Sequence, residues 1–397
     1  MQGEALIKQS KRRVTQHLPR PYGSLSSLER FRLRLQFDSA LETAMQDIRL
    51  LRVAAIVGFC FAEKLIFIPS STQGMVEEIT ADRALTILSQ KAEGGDKEAQ
   101  YRLAIAYQKG RGVEKNYPEA VKWCRRSAEQ GWPAAEYKLG LMHENGDGIT
   151  KDPTQAIHWY RQAAEQNYAP AENKLGVIYT EGRGVAPDYG LAFQWFRRAA
   201  NHGLSTAYHG LGSLYLWGKG TRRDPAKAAE MFTEAAERGL AVAQADLGFL
   251  YLSGEGVPRD YDRALQWLRK SAEQGEVTAE TGLGHCYASG QGVKRDYRQA
   301  AAWFLKAAEH GDTVAQHNLG ALYERGLGVS LDYVEAYKWF SVAATHGRAG
   351  SREELKALEH TMTPAQIGHG HERVTAWENV HAGVEIISVL EADEVPE

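Results

Sequence analysis

Three groups of residues in this sequence have the types that binding or catalytic chemistry needs. The run Glu181-Gly182-Arg183-Gly184-Val185 is glycine-spaced like the loops whose bare N–H groups cradle phosphates. Histidines cluster near the C-terminus (His360, His369, His371, His381) and recur further in (His209, His285, His317), and imidazoles in the right register hold zinc or nickel. Cys60, Cys124 and Cys286 could supply thiolates for metal binding, disulfides or nucleophilic attack.

Spacing argues against each chemistry. A phosphate loop needs a preceding strand, a third glycine and a lysine or acidic partner at set distances, and none is present. On a helix, residues two apart diverge by about 200°, so His369 and His371 cannot share a face. His209, His285 and His317 fall on helices of separate repeats, with no acid or cysteine completing a ligand set. The cysteines form no CxxC pair and no closely spaced framework. No nucleophile beside a base, no paired carboxylates and no HExxH-like run can be found. The expectation is therefore no catalytic residue, no cofactor and no metal, and the net charge of -3 gives no basis for a nucleic-acid partner.

What the sequence does contain is a strict internal period of 36 residues. Leu103, Leu139, Leu175, Leu211, Leu247, Leu283 and Leu319 form one column. An alanine lies four residues before each and a tyrosine four after, with His143 the single exception. Spacing of four is helical. The position after each leucine is glycine in every copy but the first, which has Ala104, so a second helix must pass close to this one. This segment is helix A.

Two glycine columns follow, Gly110 and Gly112 through Gly326 and Gly328, and account for the richness in glycine. Glycine leaves a helix through a left-handed residue because it has no Cβ to clash. Next come Asn116, Asp152, Asp188, Asp224, Asp260, Asp296 and Asp332, N-cap types, with Pro153 and Pro225 at the following position where proline costs no hydrogen bond. Helix B then carries two alanine columns, Ala120 to Ala336 and Ala128 to Ala344. Between them run Trp123, Trp159, Trp195, Met231, Trp267, Trp303 and Trp339. A large ring facing small residues predicts that this tryptophan column makes the close helix–helix contact. Gly131, Asn167 and Gly203 through Gly347 end helix B.

The pattern A-x3-LG-x2-Y-x2-G-x-GV-x2-D-x3-A-x2-W-x4-A resembles the Sel-1-like repeat, a relative of the tetratricopeptide repeat. The resemblance implies an all-α, right-handed α–α superhelical solenoid. Seven copies occupy 95–347, a degenerate half repeat lies at 77–94, and capping helices span 348–378 with a Thr363-to-Gln366 capping box. An acidic tail fills 379–397. The resemblance further implies adaptor, assembly, regulatory or host-interaction roles, often outside the bacterial cytoplasm. Relatives linked to β-lactam binding carry a cysteine pair per repeat, which this chain lacks.

In such solenoids helix A lines the concave groove, so the partner expected is a protein segment, with a glycan strand the second option. The exposed face of helix A is read as the positions two before, two after and five after the leucine. In the fourth and fifth copies Tyr208, His209, Leu216, Trp217, Phe249 and Leu252 gather near the array's middle. Trp217 stands where the other copies have Lys109, Asn145, Glu181, Ser253, Ser289 and Arg325, which suggests a binding anchor. Packing of Trp217 between repeats is the alternative. The rival function is an enzyme or metal-binding protein with its site in the terminal segments.

At the N-terminus, 1–44 reads as a basic leader or an upstream extension, and 45–68 as an apolar segment. Met45 to Lys64 has Arg49 and Arg52 before an apolar run from Val53 to Ala62, the layout of a secretory signal. Translation from Met45 would place the protein in the periplasm or outside the cell; otherwise it is cytoplasmic. A membrane anchor, or an apolar helix packed on the first repeat, are the other readings. Glu63 and Lys64 weigh against the anchor, since a central charge costs about 2.5–3.5 kcal/mol on insertion scales.

Overall fold

The computed structural model describes residues 83–381. The readings of 1–44, 45–68 and most of the acidic tail lie outside these residues, as does the start of the half repeat. Within them the chain is entirely helical. A half-repeat helix at 83–93 (α1) is followed by seven A/B pairs. These are α2 Lys97–Lys109 and α3 Tyr117–Glu129, α4 Pro133–Asn145 and α5 Pro153–Glu165, and α6 Ala169–Glu181 and α7 Tyr189–Asn201. Next come α8 Ser205–Trp217 and α9 Pro225–Glu237, and α10 Ala241–Ser253 and α11 Tyr261–Glu273. The last two pairs are α12 Val277–Ser289 with α13 Tyr297–Glu309, and α14 Thr313–Arg325 with α15 Tyr333–Thr345. Two capping helices close the array, α16 Ala349–Glu359 and α17 Pro364–Val380. Successive helices from α2 to α16 pack on one another, and α17 lies on α15.

The turn between A and B is clamped twice. Gly182 and Gly184 both sit at φ 75°, in the left-handed region, and the Gly182 N–H returns to the Ile178 carbonyl at 2.9 Å. Asp188 then donates its N–H to the Tyr179 carbonyl (2.8 Å), while its side chain accepts the Leu191 N–H (2.9 Å) and starts helix B. The same backbone bond recurs from Asn116 to Tyr107 and from Asp332 to Tyr323. Asn167 is the single non-glycine residue with positive φ among those described, at a helix B terminus where the other copies use glycine. Asparagine tolerates that region better than most residues.

One expectation needs correction. The residue packed onto helix A is not the tryptophan but its successor: Cys124, Tyr160, Phe196, Phe232, Leu268, Phe304 and Phe340, none more than 4% exposed. These side chains lie on the glycine column. A Cβ on Gly140 would stand 2.6 Å from Tyr160, and on Gly176 2.6 Å from Phe196. Such a column needs bulk only where glycine faces it, so the first copy pairs Ala104 with Cys124. The tryptophans occupy the flank of helix B, where Trp123 and Trp339 are buried too. Trp159, Trp195, Trp267 and Trp303 are half-buried, and cations lie over several rings, such as Arg198 over Trp195 (4.7 Å) and Lys270 over Trp267 (4.4 Å).

The buried stripe of helix A is also wider than expected. It includes the position three after the leucine, where Met142, Ile178, Leu214, Leu250 and Cys286 are buried. Two residues before the leucine, Ala245 and Thr281 are buried as well, so that column is not a free surface. Cys124 and Cys286 are free and buried, and burial pushes their thiols up to about 12 and about 11, away from thiolate chemistry. The capping box at Thr363 and Gln366 forms as predicted.

The ring-on-glycine contact makes a prediction. Gly212→Ala should destabilise the array by about 1–3 kcal/mol, because a Cβ there lies 2.5 Å from Phe232. In a Phe232→Cys background, which copies the Ala104–Cys124 pairing, the same change should cost little. Urea unfolding of the four proteins gives the coupling energy; a value near zero would mean that the ring is not what excludes the methyl group.

Candidate functional site

The six residues gathered by sequence divide in two when placed on the helices. α8 carries Tyr208, His209, Leu216 and Trp217, and α10 carries Phe249 and Leu252. A 2.8 Å hydrogen bond between His209 Nε2 and Asp246 Oδ2 ties the two helices side by side. Leu216 and Leu252 are half-buried against the cores of the fourth and fifth repeats, and the Phe249 ring lies on Gly282 of the next repeat. Only Trp217, 68% exposed, and Phe249, 36% exposed, offer large apolar surface.

Trp217 differs from every other tryptophan in the described residues. Trp123, Trp132, Trp159, Trp195, Trp267, Trp303, Trp339 and Trp377 each meet a cation or another ring. Trp217 has no such contact there. Packing between repeats, the alternative raised above, does not describe it: the ring stands on the last turn of α8 just before Gly218, facing solvent.

Tyr208 has a structural explanation that the sequence reading missed. Its column is otherwise Gln100, Glu136, Glu172, Gln244, Glu280 and Gln316, all buried. All but Gln316 reach the residue 30 positions on, at the end of helix B. Gln130 donates to Gln100 at 2.7 Å, Gln166 to Glu136 at 2.7 Å and Gln274 to Gln244 at 2.8 Å. Glu280 is held by Lys306 (2.7 Å) and His310 (3.1 Å), and Glu172 by Arg198 (2.9 Å). In the fourth repeat the pair is Tyr208 with Arg238, whose guanidinium lies 4.7 Å over the ring. Pairing this column with the one 30 residues later was the available signal.

The helix A histidines are likewise bound into packing. His209, His285 and His317 lie 5.4, 5.2 and 5.4 Å from the rings of Phe232, Phe304 and Phe340. His285 meets Asn318, and His317 hydrogen-bonds Ser351 of the cap at 2.9 Å. The described residues hold no cluster of three or more His, Cys, Asp or Glu that could bind a metal. His371 meets Tyr337 and His381 stacks on Trp377 at 4.3 Å.

A cleft of about 560 Å³ opens between the second and third repeats, lined by residues of α4, α5 and α6 and by the glycine turn after α6. Ala156, Ile157 and Ile178 give it an apolar lining, and Lys151, Arg183 and Gly184 line it too. In its wall the Tyr160 hydroxyl donates to Glu144 at 2.5 Å, and Lys174 Nζ lies 2.9 Å from the other carboxylate oxygen. Burial would raise the Glu144 carboxyl. The bonds from Tyr160 and Lys174, with the charges of Lys174 and Arg183, outweigh it and hold it below its ordinary value. The glycine turn set aside as a phosphate loop is thus a fold-making turn that also walls a cleft.

The family model described as Sel1 repeat matches residues 97–132, 133–168, 169–204, 205–240, 241–276, 277–312 and 313–347. Among solved structures, the chain is similar to a Sel1 repeat protein from Oxalobacter formigenes, with 38% identity and a TM-score of 0.54 over 60% of this chain and 95% of that one. It is also similar to a protective antigen of uropathogenic Escherichia coli displaying an SLR fold. That match has 27% identity and a TM-score of 0.47, covering 79% of this chain and 85% of that one. Comparison with curated proteins gives no match.

The His317–Ser351 bond makes the junction between array and cap sensitive to pH. Burial, with Arg348 and Arg325 nearby, pushes His317 down to about 4 from 6.5. The unfolded chain therefore binds the extra proton first, and stability falls as pH drops from 6.5 toward 4. Urea midpoints over this window should decline less steeply for His317→Asn than for the unaltered protein. Equal slopes would show that this histidine is not a source of the decline.

Proposed function

The chain belongs to the Sel1 repeat family, and from that premise we propose that it is a non-catalytic scaffold that holds a protein partner along the helix A face of its array. The observation that carries this reading is the exposed Trp217 on the last turn of a helix A, which meets no cation or other ring among the described residues and stands in a column that is polar in all the other repeats. A solvent-facing indole costs solubility and contributes nothing to the core, whereas tryptophan buried in an interface is among the strongest anchors. Phe249 on the next helix A supplies the second apolar contact. Tyr208, His209, Leu216 and Leu252 act as the support that fixes these two. A protein segment fits better than a glycan strand, because Trp217 is bordered by the apolar Leu216. Export from a bacterial cell belongs to the same proposal and rests on the Met45 to Lys64 stretch alone.

Partner capture from the native cell, compared by quantitative mass spectrometry, tests the scaffold. Trp217→Ala should lose at least about tenfold of the specifically retained protein, equivalent to about 1.4 kcal/mol, with an unchanged melting temperature. Equal capture by the folded variant would remove Trp217 from the interface. Stoichiometric metal that disappears on deleting residues 350–397 would favour the rival, a metal-dependent protein. For export, sequencing the mature N-terminus of protein expressed from Met45 should find Met45 removed; an intact Met45 on cytoplasmic protein would end that part of the proposal.

A further inference from the structure

We propose that the cleft between the second and third repeats is a separate binding site for an aromatic side chain of a partner protein, a ring seated where other repeats seat a tyrosine of their own. The first residue of helix B is Tyr117, Tyr189, Tyr261, Tyr297 or Tyr333 in five repeats, and Pro153 or Pro225 in the other two. Over three of these tyrosines, Tyr117, Tyr189 and Tyr297, a cation covers the ring, and it comes from one of two places. Lys115 lies 4.8 Å over Tyr117 and Arg295 5.7 Å over Tyr297, each from two residues before the tyrosine. Lys219 lies 5.2 Å over Tyr189, reaching across from the glycine turn of the next repeat.

At Pro153 the ring is absent, yet both cations remain. Lys151 occupies the place of Lys115 and Arg295, and Arg183 that of Lys219. Both line the cleft of about 560 Å³, together with Pro153 itself, and Arg183 is anchored by Glu181 and by Glu144 at 3.7 Å. A volume of this size is in the range of about 300–1,000 Å³ that ligand pockets occupy. Ala156, Ile157 and Ile178, at most 5% exposed, form the apolar floor of the cleft, and the glycine turn borders it, a Cβ on Gly184 standing 2.5 Å from Pro153. Asn145 and the Glu144 carboxylate are in the same wall, so a phenol hydroxyl would find acceptors there. The other proline junction lacks this arrangement. At Pro225, Arg223 is bonded to Glu255, and Glu255 stands where Arg183 would be.

The site does not depend on Trp217, so its test is independent of the scaffold reading. The probes are Ac-Gly-Tyr-Gly-NH2, Ac-Gly-Leu-Gly-NH2 and p-cresol, observed by saturation-transfer NMR on the full chain. The tyrosine peptide should give saturable transfer to its ring protons with affinity on the order of 1 mM, as its small size allows, and the leucine peptide should not. Pro153→Tyr, which puts into the cleft the ring that five repeats already carry, should abolish the transfer while leaving the melting temperature unchanged. Lys151→Met and Arg183→Met should each weaken binding about two- to fivefold, and Trp217→Ala should leave it intact. Equal transfer with Pro153→Tyr, or equal binding of the leucine peptide, would overturn the proposal. Binding of p-cresol without binding of the tyrosine peptide would overturn it too, because the site would then take a free aromatic ligand.

Discussion

Six of the seven helix pairs in this array rest on one contact, a large side chain of helix B lying on a glycine of helix A, and the first pair uses Ala104 and Cys124 instead. The contact sets how near the two helices approach, because a methyl group on that glycine would come within 2.5–2.8 Å of its neighbour in every copy from Gly140 to Gly320. Close approach buries the leucine and alanine columns on either side. Burying one such apolar side chain contributes roughly 1.5–3 kcal/mol, and the contact is repeated down the array. Since each unit touches only its neighbours, the core is a file of small clusters rather than a single centre.

Polar groups buried beside that file decide how the units join. The Gln and Glu column of helix A is removed from water, so each member must find a partner, and the end of helix B supplies it. Gln100, Gln244 and Gln316 also donate to the carbonyls of Ala92, Ala236 and Ala308 at the end of the preceding helix B, with lengths of 3.0, 3.0 and 3.1 Å. Gln100 and Gln244 thereby each link three helices. With the internal joints satisfied in this way, residues on the rim of the A helices are released from packing duties, and their variation becomes readable as function.

Much of the fold could be read from the sequence because its causes are local. A left-handed glycine, an aspartate cap and a leucine four residues from an alanine each act within one turn, and the period multiplies the signal seven times. What could not be read was the choice among adjacent large residues. Trp195 and Phe196 are neighbours of similar bulk in helix B, and only the rotation of that helix against Gly176 decides which one is enclosed. Tyr208 misled for a related reason: its cation partner Arg238 lies 30 residues away, in a column that looks unremarkable by itself. Trp217 stands out in the sequence because it breaks a polar column, and it is 68% exposed.

A repeat array carries its own control experiment. Seven copies of one unit show what each position does when it serves only the fold, so a departure is informative in proportion to how completely the surrounding unit stays the same. Tyr208 departs and its partner departs with it, from Gln130, Gln166 or Gln274 to Arg238, which restores a satisfied internal pair. Pro225 departs and Glu255 takes up the cation left beside it. At Pro153 the compensation is partial: Arg183 is held by Glu181 and Glu144, but Lys151 forms no ion pair among the described residues, the ring is missing and the space stays open. Trp217 departs toward solvent, without an internal partner among the described residues. Compensated departures restore the interior, whereas incompletely compensated ones leave an interaction half made, and the two proposed partner contacts rest on such positions.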